Sequence, residues 1–376
     1  MKNIYRNKIL FFSLIIILTS VILQGCFNYK DINKVTFVTS CVFDNQNDNV
    51  VLYLDCVKPF RSTSDSSDKG KRIIYQGSGK SVFEAVRSVN LNSAYKLNFT
   101  QCKAFIFSEN AAKQGINKYV DVLRKDQEFL VKPFLFVFFG DIDNMFKTVE
   151  SDEEYLGLFL NDLVVKTKEN PRSITLNMND FLVKESQGQK TVILSALDLK
   201  KDVENNRIKL NGGAVLENNK LVTRLNLSDA LSYSFLNDEV KSGTLEVSNP
   251  NDPNSFITLE ILNSKTKTSI NYEDDRVKLY KDIKVKCSIA EAQNRFITNI
   301  DVVNNLKEIQ EENMKKYLNK IFNDYKEKHL DIFSINRMFE IKYPKESYEG
   351  KLIDRTDLIL NIDVEIQGSS TVKDSI

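Results

Sequence analysis

The chain opens on a segment that decides in which compartment the rest must fold. "MKNIYRNK" carries Lys2, Arg6 and Lys8 and no acid, and Ile9 to Leu23 is almost wholly apolar. A positive region followed by a short apolar run reads as a secretory signal. As a helix the apolar run is about 22 Å long at 1.5 Å per residue, short of a hydrocarbon core of roughly 30 Å. The run ends in "LQGC", Leu23 to Cys26. A small residue directly before a cysteine, with leucine three before it, is the pattern of a bacterial lipobox; Gln24 is its less usual member. The expectation is a signal peptide over residues 1–25, cleavage after Gly25 and diacylglycerol on the Cys26 thiol. Two acyl chains give stable anchoring where one is marginal.

Charge then excludes some partners. The full chain has 52 basic and 51 acidic residues, and losing residues 1–25 leaves 49 against 51, a net charge of −2. No basic excess is available to hold nucleic acid, and attachment to a bilayer rests on lipid. His329 is the single histidine, which rules out multi-histidine metal sites; it reads as an exposed residue at a helix end. Cys41, Cys56, Cys102 and Cys287 lie in apolar, strand-like runs without CxxC spacing. An exported protein can pair such cysteines, but buried free thiols are the default reading. The acidic pairs Glu153-Glu154, Asp274-Asp275 and Glu311-Glu312 stand in charged surroundings and read as solvated surface.

"IIYQGSGKSVFEA", Ile73 to Ala85, invites a nucleotide reading. The phosphate-loop pattern GxxxxGK[ST] needs a glycine five residues before its second. Counting from Gly79, that position is Ile74. Ser81 and Glu84 instead form a capping box at a helix start, with Val82, Val86 and Val89 at helical spacing behind it.

The remaining pattern is mixed. Val35–Asp44 and Val50–Val57 read as strands around an Asn-rich turn, and Arg61 to Lys71 as a polar loop. "CKAFIFSE" and "TVILSALDL" read as strands, and "FLFVFFG" (Phe134 to Gly140) as a strand buried on both faces. Helical patterns run over Gly115–Arg124, with Ile116, Tyr119, Val120 and Leu123 inward, and through Tyr155 to Leu163. Polar Lys200 to Arg207 is a candidate boundary. "IKLNGGAVLENNKLVTRL" reads as a hairpin with "ENNK" as its turn, and Leu227 to Leu236 as a short helix. "NPNDPN" (Asn249–Asn254) is expected to force a loop. Val302 to Leu330 reads as a long amphipathic helix whose inward stripe is Val302, Leu306, Ile309, Leu318, Ile321 and Tyr325. "LILNIDVEIQG" alternates as a half-buried strand. The fold class expected is α+β, with mixed, largely antiparallel sheets and packed helices. Two to three domains are expected: an N-terminal region over 26–200, itself divisible near 150, and a C-terminal domain over 206–376. No constellation for catalysis, metal or cofactor stands out.

These segments together resemble one family. "GCFNYKDINKVTFVTSCVFD" resembles the start of the Ger(x)C spore germination lipoproteins, with Phe27, Lys30-Asp31 and Ile32-Asn33 at the matching places. "GSGKSVFEA", "VLRKDQEF", "GGAVLENNKLV", "FEIKYPKESYEG" and "IDVEIQG" resemble later family segments in the same order. The family often has Trp after the lipid cysteine and near its Tyr-Pro, and Gly after Lys-Leu-Val; here there is no Trp, Tyr348 stands near Tyr343-Pro344, and Thr223 follows the last motif. The resemblance implies a non-enzymatic lipoprotein of mixed α/β domains, three in number. It implies the C component of a nutrient germinant receptor, on the exported face of the spore's inner membrane beside two integral membrane subunits, A-type and B-type. Its role would be receptor assembly or signalling. A substrate-binding lipoprotein of a membrane transporter is the alternative; it would have two lobes with parallel sheets and a deep cleft between them. A secreted enzyme is the third reading.

Overall fold

The computed structural model describes residues 34–58, 71–148, 154–167, 170–201, 206–294, 296 and 299–367, with isolated positions 5, 11–13 and 19 before them. The expected signal segment as a whole, Gly25, Cys26 and the loop over 61–70 lie outside these residues.

Two sheets organise the chain. The first contains β1 (Val35–Gln46), β2 (Asn49–Lys58), β3 (Lys71–Gly79), β4 (Lys96–Asn98), β5 (Ala104–Ser108), β6 (Phe134–Phe139), β7 (Thr191–Lys201), β8 (Asn206–Glu217) and β9 (Lys220–Leu225). Its order is β3-β2-β1-β5-β6-β7-β8-β9, with β4 beside β1. The centre is parallel: β1 with β5, β5 with β6 and β6 with β7. Antiparallel hairpins flank it on both sides. β6 and β7, on either side of residue 150, therefore pair directly, and β8 and β9, beyond the polar 200–207 stretch, complete the same sheet.

Helices cover both faces of this sheet. On one side lie α1 (Val82–Asn90), α2 (Glu109–Gln114), α3 (Asn117–Lys125) and α6 (Met178–Ser186); on the other lie α4 (Ile142–Lys147) and α5 (Leu156–Thr167). Side chains alternate along a strand, so β6 sends Leu135 and Val137 into the first layer with Tyr119 and Phe181. Phe136 and Phe138 enter the second with Ile142, Leu156 and Leu160. That double burial is why "FLFVFF" is apolar throughout. The α3 face is the one expected: Ile116, Tyr119, Val120 and Leu123 are all buried. α5 approaches the sheet closely, because a Cβ at Gly157 would stand 1.9 Å from the Thr39 carbonyl oxygen.

The second sheet is β10-β11-β12-β13, formed by Gly243–Asn249, Asp252–Glu273, Arg276–Ala292 and Thr356–Gln367. The first two pairings are antiparallel and the last, β12 with β13, is parallel. β12 alternates strictly, with Val277, Leu279, Ile283, Val285, Cys287 and Ile289 inward. The long helix α8 (Ile300–Glu327) covers this face after α7 (Leu227–Leu236), and α9 (Ile335–Lys342) follows. Leu306, Leu318, Ile321 and Tyr325 of α8 are buried as expected, Val302 and Ile309 only partly, and Gln310, Met314 and Phe322 complete the stripe. Ile174, Ile193, Val215 and Leu225 from the first sheet's side pack in the same core as Ile283, Val285 and Val364 of the second.

The turns follow their residue chemistry. Asn47-Asp48, Asn218-Asn219 and Asp274-Asp275 all adopt positive φ, the conformation that two-residue hairpins require and Asn and Asp tolerate. The first strand consequently runs to Gln46, two residues beyond the expected end. "NPNDPN" makes a tight link rather than a loop: Asn249 Oδ1 accepts from Asn251 N–H at 2.9 Å, and β11 resumes at Asp252.

Candidate functional site

The glycine run after β2 is built for packing. Gly77, Ser78 and Gly79 are the end of β3, in register with Leu52, Val51 and Val50, so their backbone belongs to the sheet. A Cβ at Gly77 would stand 2.3 Å from the Ala85 carbonyl oxygen and 2.6 Å from Val89 Cγ2; glycine lets α1 lie against its own strand. Ser81 Oγ accepts from Glu84 N–H at 3.2 Å, and Glu84 Oε2 reaches back to Lys80 N–H at 2.8 Å. The box therefore closes one residue earlier than the usual form, on Lys80 instead of Ser81. Lys80 itself is exposed.

The other singled-out residues scatter. Cys41, Cys56, Cys102 and Cys287 are buried free thiols, with Cys41 Sγ 3.9 Å from Cys102 Sγ. His329 follows α8 at φ 56°, with 63% of its side chain exposed, and pairs through Nδ1 with Asp354 at 2.7 Å. Asp274 and Asp275 form a hairpin tip, where the Tyr272 hydroxyl and Arg355 hold the Asp275 carboxyl below its ordinary value. Glu311 Oε1 accepts from Val364 N–H at 3.0 Å and so ties α8 to β13. The pair Glu153-Glu154 lies at the edge of the described residues. Among the described residues no group of three or more His, Cys, Asp or Glu is arranged to hold a metal.

The structure brings together two surfaces that the sequence did not announce. One is the end of the first sheet where β1 enters. There the amino ends of β5 and β6 lie side by side, β5 begins beside Ser40 of β1, and β4 pairs Lys96 with Val35 at the amino end of β1. Phe99 and Phe129 pack with ring centroids 4.5 Å apart, tilted by 44°, and Lys96 bridges to Glu128 at 2.9 Å. Leu91, at the end of α1, is 88% exposed, and Leu130 and Val131, before β6, are also exposed. The continuous described stretch that includes β1 begins at Lys34, at this edge, eight residues after Cys26.

The second lies at the opposite end, where β1, β5 and β6 leave the sheet. A polar crevice of about 380 Å³ is lined by Asp44, Ser108, Glu109, Lys113, Asp141 and Asp143, among others. Such crevices at the carboxyl ends of parallel strands are where open α/β sheets bind ligands. Here its polar groups hold the frame. The Ser108 hydroxyl donates to Asp44 and accepts from Ala111 N–H at 2.9 Å, capping α2. Asp141 accepts from Asn144 N–H at 2.8 Å, capping α4. Lys113 pairs with Glu109 at 2.6 Å. Burial, with Asp143 and Asp44 nearby, pushes the Tyr53 phenol up. The signal for this crevice was present in the sequence: each central apolar run ends in a polar or turn residue, Asp44, Ser108 and Gly140-Asp141.

Among the described residues no helix is long and apolar enough to cross a membrane. Comparison with known proteins gives a consistent family. The chain is 20% identical over 326 residues to spore germination protein GerQC of Bacillus cereus, covering 86% of this chain and 89% of that one. It is 21% identical over 390 residues to spore germination protein B3 of Bacillus subtilis (strain 168), covering 99% and 100%. Among solved structures, the crystal structure of the GerBC protein superposes with a TM-score of 0.56 at 18% identity, over 87% of this chain and 96% of that one, which shows the shared fold. Residues 28–199 match the family described as spore germination protein N-terminal domain, and residues 211–375 match the spore germination B3/GerAC-like C-terminal family. With both halves matched in order, the chain belongs to the GerAC-like family of spore germination proteins.

Proposed function

We propose that the chain is the lipid-anchored C subunit of a germinant receptor, a non-catalytic component that acts through contact with integral membrane subunits of A and B type. The observation that carries this reading is the match of both germination domains across nearly the whole sequence after Cys26. The lipobox ending at Gly25-Cys26 supports attachment on the exported face, in a spore the inner membrane. The two regions of this reading are 26–200 and 206–376, with the second domain carrying the long helix.

Geometry supports a position close to the lipid. Eight residues between Cys26 and β1 span at most about 30 Å when extended, so the amino edge with Leu91, Leu130 and Val131 is held near the bilayer. Tethering there raises the effective concentration for a membrane partner. The transporter-type alternative expects two lobes of parallel sheet; the second sheet here is antiparallel over two of its three pairings.

The test is to replace Cys26 by Ala and follow both fractionation and germination. The expected outcome is a folded protein released from the membrane fraction, loss of co-purifying integral membrane subunits and impaired nutrient germination. Full membrane retention of the Cys26→Ala protein, or normal germination with unanchored protein, would overturn the reading.

A further inference from the structure

Leu91, Leu130 and Val131 stay exposed although their backbone is firmly held. Leu91 N–H donates to the Ser88 carbonyl at 3.3 Å and Asn92 N–H to that of Val89 at 2.9 Å, closing the end of α1. Leu130 and Val131 stand between two buried residues, Phe129 and Pro133. Phe129 packs on Phe99 and Phe105. Asn179 N–H donates to the Val131 carbonyl at 2.8 Å and Met178 N–H to that of Pro133 at 2.9 Å. Three hydrocarbon side chains from two separate segments are thus presented to the outside at one end of the first sheet. A lone exposed leucine is ordinary; apolar residues gathered at one place mark a contact surface.

The tether selects what covers this surface. A lipid on Cys26 puts the bilayer within the reach of eight residues of the same end. Charge decides which part of the lipid is met. Lys96 is paired with Glu128, and Lys125 is followed by Asp126, which leaves Lys34 and Lys132 against Asp180. So small a surplus selects acyl chains over anionic headgroups. The other end of β1 lies about 30 Å away at roughly 3.3 Å per residue. Its crevice is lined by Asp44, Glu109, Asp141 and Asp143, with Lys113 as the opposing charge, and an acidic end is repelled by a leaflet carrying anionic lipid. We propose that the end of the first sheet carrying Leu91, Leu130 and Val131 is a lipid-contact surface. These side chains enter the boundary between headgroups and acyl chains, and the central strands stand on the bilayer with the acidic crevice turned away. The inference rests on the lipid-anchored reading and adds an orientation to it. An anchor alone leaves the domain free to turn on its linker, whereas a second contact fixes the face offered to membrane partners.

The chain has no tryptophan, so one substitution installs a single fluorescent reporter. Leu91→Trp, Leu130→Trp and, at the acidic end, Asp143→Trp are made in the full chain, expressed with its leader so that Cys26 carries its lipid. Each is reconstituted into phosphatidylcholine vesicles, with and without phosphatidylglycerol, that contain lipid brominated high on its acyl chains. All three positions are exposed, so each variant is expected to melt like the parent. Bromine is expected to quench Leu91→Trp and Leu130→Trp at least about threefold more than Asp143→Trp, because an interfacial apolar surface lies about 5–10 Å deep. Phosphatidylglycerol should leave that ratio unchanged. The contact is overturned by equal quenching at the two ends, by quenching that requires phosphatidylglycerol, or by blue-shifted but unquenched emission at Leu91 and Leu130, which would show protein instead of lipid over them. In each of those cases flotation of the protein with the vesicles leaves the anchor standing. Failure to float removes the anchor and the contact together.

Discussion

Asp55 is fully buried, and three hydrogen-bond donors from distant parts of the chain converge on it. Arg72 Nε reaches one carboxylate oxygen; the Thr39 hydroxyl at 2.8 Å and Leu156 N–H at 2.8 Å reach the other. β1, β2, β3 and α5 are thereby tied at one point, where a register shift in β1 aims Thr39. Removing one member of a buried charged pair leaves the other uncompensated. Asp55→Ala is therefore expected to cost about 3 kcal/mol in a denaturant melt; a loss below 1 kcal/mol would show that Arg72, 13% exposed, is solvated without its partner. Titration offers a second test. Burial pushes the thiols of Cys41, Cys56 and Cys287 up, Cys287 to about 12, and pulls the ammonium of inward-facing Lys281 down to about 8. Between about pH 9 and 10 the unfolded chain has released its thiol protons and kept the lysine proton, whereas the native state has done the reverse. The native state then holds two more protons across these four groups, so stability falls as pH rises, by about 3 kcal/mol per pH unit. Denaturation under reductant at the two pH values checks the sign. Lys281→Met removes the one opposing contribution and should steepen the fall to about 4 kcal/mol per unit.

At the scale of elements, α1 shows how a short pattern is satisfied by purely local means. Ser81, Glu84 and the expected row Val82, Val86 and Val89 lie within nine residues; Val82 and Val89 are buried, while Ala85 takes the inward place and Val86 is only partly buried. Ser81→Ala is expected to lower stability by about 1 kcal/mol through loss of the cap, measured by thermal or denaturant unfolding, while Lys80→Ala at the neighbouring exposed position should leave it unchanged. A loss in the second variant equal to that in the first would assign the lysine a contact that the fold does not show. α8 shows the opposite case. Its amphipathic period announced a buried stripe, but the period does not say which inward residue meets a wall and which meets a cavity. Gln310 broke the apolar row in plain sight, and only the tertiary structure shows that it is buried all the same, at 3% exposure.

On the scale of the whole molecule, the first sheet does not end where the polarity of residues 200–207 suggests. β8 pairs along nearly the whole of β7, from Thr191–Glu217 to Lys201–Asn206, and buries Val192, Leu194 and Leu197 in the layers beside it. A fragment of residues 27–201 would leave that edge unpaired, an open template for association. It is expected to aggregate or to give a poorly dispersed amide spectrum under conditions where the full chain folds. A dispersed spectrum and a cooperative melt from this fragment would show that the last two strands are dispensable to the first domain.

Much of the local structure was determined by the sequence itself. Hairpin turns at Asn-Asn and Asp-Asp pairs, the doubly buried "FLFVFF" strand, the α3 and α8 stripes, the cap of α1 and the family motifs all depend on residues close together, where alternation and helical period report directly on burial. Tertiary structure alone decided the rest. Periodicity tells a strand that one face is buried but not which strand lies beside it, so the insertion of β1 between β2 and β5, and the return of β8 and β9 to the first sheet, were not legible. The same holds for sites. Asp55 meets Leu156 across 101 positions. Contacts at such separations are selected by the packing of complete layers, a property that no short stretch of the chain contains.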